Sequence, residues 1–190
     1  MTGLGGSFMG IIELWLPILV SAVVVIVMSA LVWTVLPWHK TDFKKTGDEE
    51  AVRAALKGSK TGLYMVPYCT DLSELKNEIV AQKYIDGPQA YITIVPNGMP
   101  NMGPKLALSY AYNVLVGVLC AYMVTRTLES GASYLEIFRV AGTTAFIAYS
   151  VAYIQDSIWF GRPWMLTMKN MFDALLYASL TGGVFGWLLG

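Results

Sequence analysis

The sequence predicts a mainly helical membrane protein: a four-transmembrane-helix bundle with a small α+β insert between helices 1 and 2. Three observations predict it. Hydrophobic residues fill 55% of the 190 positions, and mean hydropathy is +0.53. Charged residues make up 14%, against about 25% in an average soluble domain. The charges are also clumped, with 17 of the 26 (13 basic plus 13 acidic) lying between Lys40 and Lys105. A bilayer-embedded chain with one water-facing segment has this pattern. The formal net charge is zero, so nucleic acid is not expected as a partner.

A span needs about 20 mostly apolar residues to cross roughly 30 Å of hydrocarbon. The first runs from Ile11 to Trp33, with a charge-free core from Val20 to Val32. Pro17 falls in its opening turns, where a missing N–H costs least, and Pro37 marks the exit. The second is predicted from Leu106 to Thr125, the third from Tyr134 to Ile154 and the fourth from Met171 to Leu189. Trp15, Trp33, Trp38, Trp159, Trp164 and Trp187 stand near span ends, as expected of an aromatic belt at headgroup depth. The first ten residues carry no basic group, so the first run is expected to be a retained helix rather than a cleaved signal.

Three segments follow: 1–37 with the first span, 38–105 as the insert, and 106–190 with the remaining spans. Lys40, Lys44, Lys45, Arg53 and Lys105 flank the insert, and Arg162 and Lys169 lie between spans three and four. The positive-inside rule then places the insert in the cytoplasm and both termini on the opposite side. Gly182, Gly186 and Gly190 form two successive GxxxG spacings, and Gly117 with Ala121 a similar notch. Packing within the bundle is the expected use of these notches, ahead of homodimerisation.

The insert has its own local signals. Thr46 and Glu49 suggest a capping box before an amphipathic helix over 48–57. Leu63 to Tyr68 reads as a strand, Asp71 with Glu74 as the cap of a second helix to about Lys83, and Ala90 to Val95 as a second strand. Pro96 to Pro104 reads as a loop. About 68 residues bury only a thin core. No glycine spacing matches a phosphate loop or a dinucleotide fingerprint. Cys69 in the insert and Cys120 in the second span are expected to be free thiols, which suits a reducing compartment.

The ordered motifs VLPWHKTDFKKTGDEEAVRAAL (35–56), GLYMVPY (62–68), Gly87-Pro88 and VPNGMPNMG (95–103) resemble an uncharacterised family of small bacterial membrane proteins. Its members read LPHHxSD, a DEDAV-like helix start, a GQYMFP-like strand, GP and a PxxPNMG-like loop. The resemblance covers most of the chain from Val35 onward. It implies this topology and a bacterial inner-membrane setting, and it implies no reaction. The family's paired histidines are Trp38-His39 here, so a two-histidine site is not expected.

The residues singled out for a site are His39, Asp42, Asp156 and Asp173. His39 is the sole histidine, with Asp42, Asp48, Glu49 and Glu50 nearby in sequence. Transition-metal sites usually need several convergent ligands, so these residues are expected to be solvated at a helix start rather than to hold a metal. Asp156 and Asp173 fall at the same ends of spans three and four, with Arg162 and Lys169 in the intervening loop. An ion-pair cluster pinning that hairpin is expected there ahead of a proton or ion path. Glu136 and Arg139 are three apart on the third span and are expected to neutralise each other. Thr143 and Thr144 can bond back to helix carbonyls.

No catalytic constellation is legible, and no cofactor is indicated. The leading expectation is an accessory or scaffold subunit of a membrane assembly, with the bilayer and other subunits or further copies of itself as partners. The alternative is a small oligomeric transporter or ion-conducting protein. A membrane enzyme acting on lipid or quinone, with His39 as base, comes third.

Overall fold

The computed structural model describes residues 10–190. The segment before Gly10, where the sequence shows no basic group, lies outside the described residues. The chain divides into two compact units: a helical bundle (up to Phe43, and again from Asn101 to Gly190) and an insert, Lys44–Pro100.

The bundle opens with a 3-10 turn, Ile11–Leu14, which leads into α1, Trp15–Thr34. Its other members are α4 (Met102–Thr127), α5 (Tyr134–Ser150), α6 (Ala152–Trp159) and α7 (Trp164–Leu189). α5 and α6 continue one span, so four spans are long and apolar enough to cross a bilayer: Ile11–Thr34, Met102–Thr127, Tyr134–Trp159 and Trp164–Leu189. Val23, Val27, Leu31, Leu108, Leu115 and Leu119 are exposed on their outer faces. Hydrocarbon is the solvent that suits such faces, and the chain is a multi-pass integral membrane protein.

Each later span starts or ends beyond its expected limits. α4 starts at Met102 inside the expected loop, since the Asn101 side chain accepts the Gly103 N–H at 3.1 Å and caps it. α7 starts seven residues before Met171, at Trp164 behind Pro163. The third span is interrupted at Val151, one residue after Ser150 returns its hydroxyl to the Phe146 carbonyl at 2.6 Å. Such back-bonding bends helices.

α5 packs most extensively on α7. A Cβ on Gly182 would stand 2.8 Å from the Phe138 carbonyl oxygen and 3.1 Å from the Gly142 Cα. The two backbones are therefore nearly in contact, and only glycine fits. Gly117 plays the same part for α4 against Ile18 of α1, where a Cβ would lie 3.2 Å from the Ile18 Cα. The notches are thus filled from within the chain, as expected. Ala141, Ala145, Ala178 and Phe185 close the core between them.

The insert holds α2 (Glu49–Leu56), β1 (Gly62–Val66), a 3-10 turn (Leu72–Lys76), α3 (Glu78–Asp86) and β2 (Ala90–Ile94). The strands pair antiparallel, with Tyr64 opposite Ile92. The cap of α2 is Asp48, whose side chain accepts the Ala51 N–H at 2.9 Å. The Thr46–Glu49 box does not form, because the helix starts next to Asp48 and leaves Thr46 outside it. Asp71 and Glu74 form their box on the 3-10 turn alone, and Asn77 starts α3 as a separate element. No residue from Lys44 to Pro100 is buried.

Candidate functional site

The site begins with a proline. Pro37 cannot continue α1, and Leu36 before it is extended (φ −76°, ψ 139°). A single 3-10 turn, Pro37–His39, follows, and the Asp42 N–H reaches back to the His39 carbonyl at 3.1 Å. Residues three apart overlap in such a turn. His39 and Asp42 therefore meet, Nδ1 to Oδ2, at 2.5 Å.

The opposite ring nitrogen reaches across the bundle. His39 Nε2 lies 2.7 Å from Asp173 Oδ2 on α7. One turn earlier on α7, the Lys169 ammonium donates to Asp42 Oδ1 at 2.6 Å and to the Trp38 carbonyl at 2.8 Å. Lys169 and Asp173 are four apart, so one face of α7 supplies both. The Trp33 ring lies flat on the imidazole, with centroids 3.9 Å apart and planes 5° from parallel. His39 is 6% exposed and Asp173 5%.

This burial corrects the expectation that His39 sits in water. The residues between it and Asp173 number more than a hundred, and only the tertiary fold brings them together. It also divides the expected Asp156–Asp173 cluster in two. Asp156 pairs with Arg162 at 3.7 Å, where Arg162 also lies over the Tyr153 ring, while Lys169 turns to Asp42. Asp156 is thus not part of the His39 network. Glu136 feels the Arg139 charge but spends its hydrogen bonds on its own helix end. Its carboxylate accepts the Ser133 N–H and hydroxyl, both at 2.8 Å, and caps α5. Thr144 bonds back to the Val140 carbonyl at 2.8 Å, as expected.

Two short hydrogen bonds flank one imidazole, and each needs its own proton. A neutral imidazole has one N–H, so either the ring carries two protons or one carboxyl donates. Asp42, His39 and Asp173 thus share two protons. Burial pushes the Asp42 carboxyl up, but hydrogen bonds and charge from Lys169 and His39 outweigh it and hold Asp42 below its ordinary value. Both imidazole nitrogens face carboxylate oxygens, so a metal could take His39 only by breaking one of these bonds.

Asp173 is deep in its span. It stands nine residues after Trp164, about 13 Å along the axis. The 26-residue helix is about 39 Å long, about 9 Å more than the hydrocarbon. Asp173 therefore lies more than two helical turns into its span.

Beside Asp173 a cavity of about 160 Å³ opens among α1, α4, the third span and α7. Asn170, Asp173, Ala174 and Tyr177 line it from one face of α7, at the spacing that aligns residues on a helix. Ser29, Ser109 and Asn113 add polar groups from α1 and α4. The Tyr149 hydroxyl donates to Asn113 Oδ1 at 3.3 Å and that of Tyr112 to the Ala148 carbonyl at 2.8 Å. The Tyr177 hydroxyl is buried and makes no hydrogen bond of ordinary geometry. Sequence reasoning missed the cavity. Its one legible trace was the Asn170-x-x-Asp173-x-x-x-Tyr177 spacing.

No protein-family model, curated protein or solved structure matches this chain. The site is therefore interpreted from its geometry.

Proposed function

We propose that the bundle is a proton-conducting or proton-coupled transport protein. The observation that supports this reading is His39 held between the part-buried Asp42 carboxylate and the buried Asp173 carboxylate at the edge of a polar cavity. Ionisable groups at membrane depth are costly and mark ion or proton paths. A bundle that needed only a joint between the α1 exit and α7 is served as well by apolar packing. An imidazole that receives a proton on one nitrogen and releases it from the other is a natural relay between two carboxylates. A cavity of this volume has room for about five waters, enough to extend the relay past Asp173.

The test is proton entry into proteoliposomes holding a trapped pH dye, driven by a potassium diffusion potential. Wild-type protein should acidify the lumen faster than protein-free vesicles. Asp173→Asn should slow entry at least about tenfold, a loss set below the roughly hundredfold that a positioned proton-transfer group contributes at its low end. Wild-type rates equal to those of empty vesicles would remove the reading.

A second reading, an accessory subunit of a membrane assembly, is favoured by the insert. Leu63, Leu72, Ile79 and Ile85 are all exposed there, while nothing in 44–100 is buried. An apolar surface of that kind suits a protein partner. Purification from native membranes at native expression should then retain another subunit, and a lone species would count against it.

The cytoplasmic placement of the insert, in a bacterial inner membrane, is proposed on the positive charges and the family resemblance. Cys69 is partly exposed in the insert and Cys120 is buried. A membrane-impermeant maleimide should label Cys69 only after permeabilisation. Labelling of intact cells would invert the topology.

A further inference from the structure

The cavity beside Asp173 has a chemical character of its own. Asp173 is the one charged side chain among its described lining residues. Five aromatic rings surround it: Trp33, Tyr112, Tyr149, Tyr153 and Tyr177. Neighbouring rings are steeply inclined, Tyr112 to Tyr149 at 69° and Tyr149 to Tyr177 at 83°. The rings line the cavity from all four spans; Trp33 has one face against His39 and Tyr153 has one under Arg162. Lys169 is the nearest cation on α7, and it is spent on Asp42, the Trp38 carbonyl and Thr41. Asp173 shares a proton with His39 through one oxygen; its other oxygen and the lining rings are groups that attract a cation.

The kind of cation follows from what the box lacks. Calcium and magnesium ask for six or more oxygens and give up water reluctantly. The cavity offers one carboxylate, two carboxamides and a few hydroxyls, several already bonded within the protein. A quaternary ammonium has no N–H for water to hold and is satisfied by π-faces and one carboxylate. Size sets the other limit. At about 160 Å³ the cavity is smaller than the roughly 300 Å³ at which drug-sized sites begin.

We propose that this cavity binds a small organic ammonium ion, paired with Asp173 and caged by the tyrosines and Trp33. Asp173 gives one oxygen to His39 and keeps acceptor capacity on the other. The buried Tyr177 hydroxyl, with the Trp33 indole beside it, lines the cavity where a polar group of the ligand can meet it. The inference rests on reading the bundle as a transport site and names the solute class that accompanies the proton.

The test uses the full-length protein in detergent, with choline as probe. Its neutral carbon isostere, 3,3-dimethyl-1-butanol, and potassium chloride at equal ionic strength are the controls. Tryptophan fluorescence and calorimetry read binding, since Trp33 lines the cavity. Choline should give a saturable change, and neither control should. Asp173→Asn should weaken choline binding about tenfold or more, because it removes the buried charge partner. An equal response to the isostere, an equal response to potassium, or no saturable response in wild-type protein would each overturn the proposal. The isostere arm needs no variant, so a misfolded substitution cannot decide the matter. Proton entry without choline binding would overturn the ligand class and leave the relay standing. Choline binding without proton entry would do the reverse.

Discussion

Among the described residues, two hydrogen-bonded ion pairs involving lysine or arginine differ in their surroundings more than in their lengths. In the bundle, Lys169 meets Asp42 at 2.6 Å with side chains 16% and 8% exposed. In the insert, Arg53 meets Glu50 at 2.7 Å with side chains 69% and 79% exposed. A tenth of an ångström separates them in length. Water separates them in consequence. The exposed pair is screened and gains little, whereas loss of one buried partner strands a charge in a poor solvent. The same contrast runs through the two units. The bundle brings backbones into contact at Gly182 and hides a proton-sharing network. The insert hides no residue at all.

The largest difference should appear when each pair loses its cation. Lys169→Met leaves Asp42 buried with one partner fewer and should cost about 3–5 kcal/mol, read as thermal unfolding of the purified protein in detergent. A cost near zero would mean that water reaches Asp42 freely.

Glycines come next. Gly182→Ala drives a Cβ to 2.8 Å from a carbonyl oxygen and should cost about 1–3 kcal/mol. Gly47 in the insert has nothing within 4 Å of the same position. Gly47→Ala should leave the unfolding midpoint where it is. Equal effects at both sites would erase the packing contrast.

Acid should separate the units more gently. Asp42 is held below its ordinary value of 3.8 by Lys169 and His39, against the opposing push of burial. A depressed folded value means that the contribution is complete above the unfolded value and is lost as pH falls through the lower folded one. The wild-type midpoint should therefore decline as pH falls below about 3.8, and Asp42→Asn should flatten that part of the decline. Identical profiles would show that Asp42 gains nothing from its partners.

The smallest effect is expected at the exposed pair. Arg53→Ala should change stability by about 0.5 kcal/mol or less. A loss comparable to that of Lys169→Met would mean that the insert pair is covered by something in solution.

How much of this the sequence disclosed depends on the range of the interaction. The spans were legible because hydropathy is a local sum and a bilayer demands it of each helix separately. The small-residue notches were legible for a similar reason, as a spacing within one helix. Boundaries slipped wherever a polar side chain settled a helix end, as Asn101 and Asp48 do. The His39 network was not legible. Pro37 announces a turn, but nothing local says that the turn folds under Trp33 and against α7. A lone histidine beside acids has the same sequence whether water or Asp173 faces its far nitrogen. The cavity was hidden likewise, because its walls come from four spans and none of them alone carries enough polar groups to mark it.

The most direct test of the account measures proton entry into proteoliposomes for matched variants of the two units. His39→Gln and Asp173→Asn alter the relay, while Arg53→Ala and Ile79→Ser alter exposed positions of the insert. The account predicts that the first two lose entry by about tenfold or more and that the second two match wild type. Entry that survives both relay variants, or that falls instead with the insert variants, would contradict it.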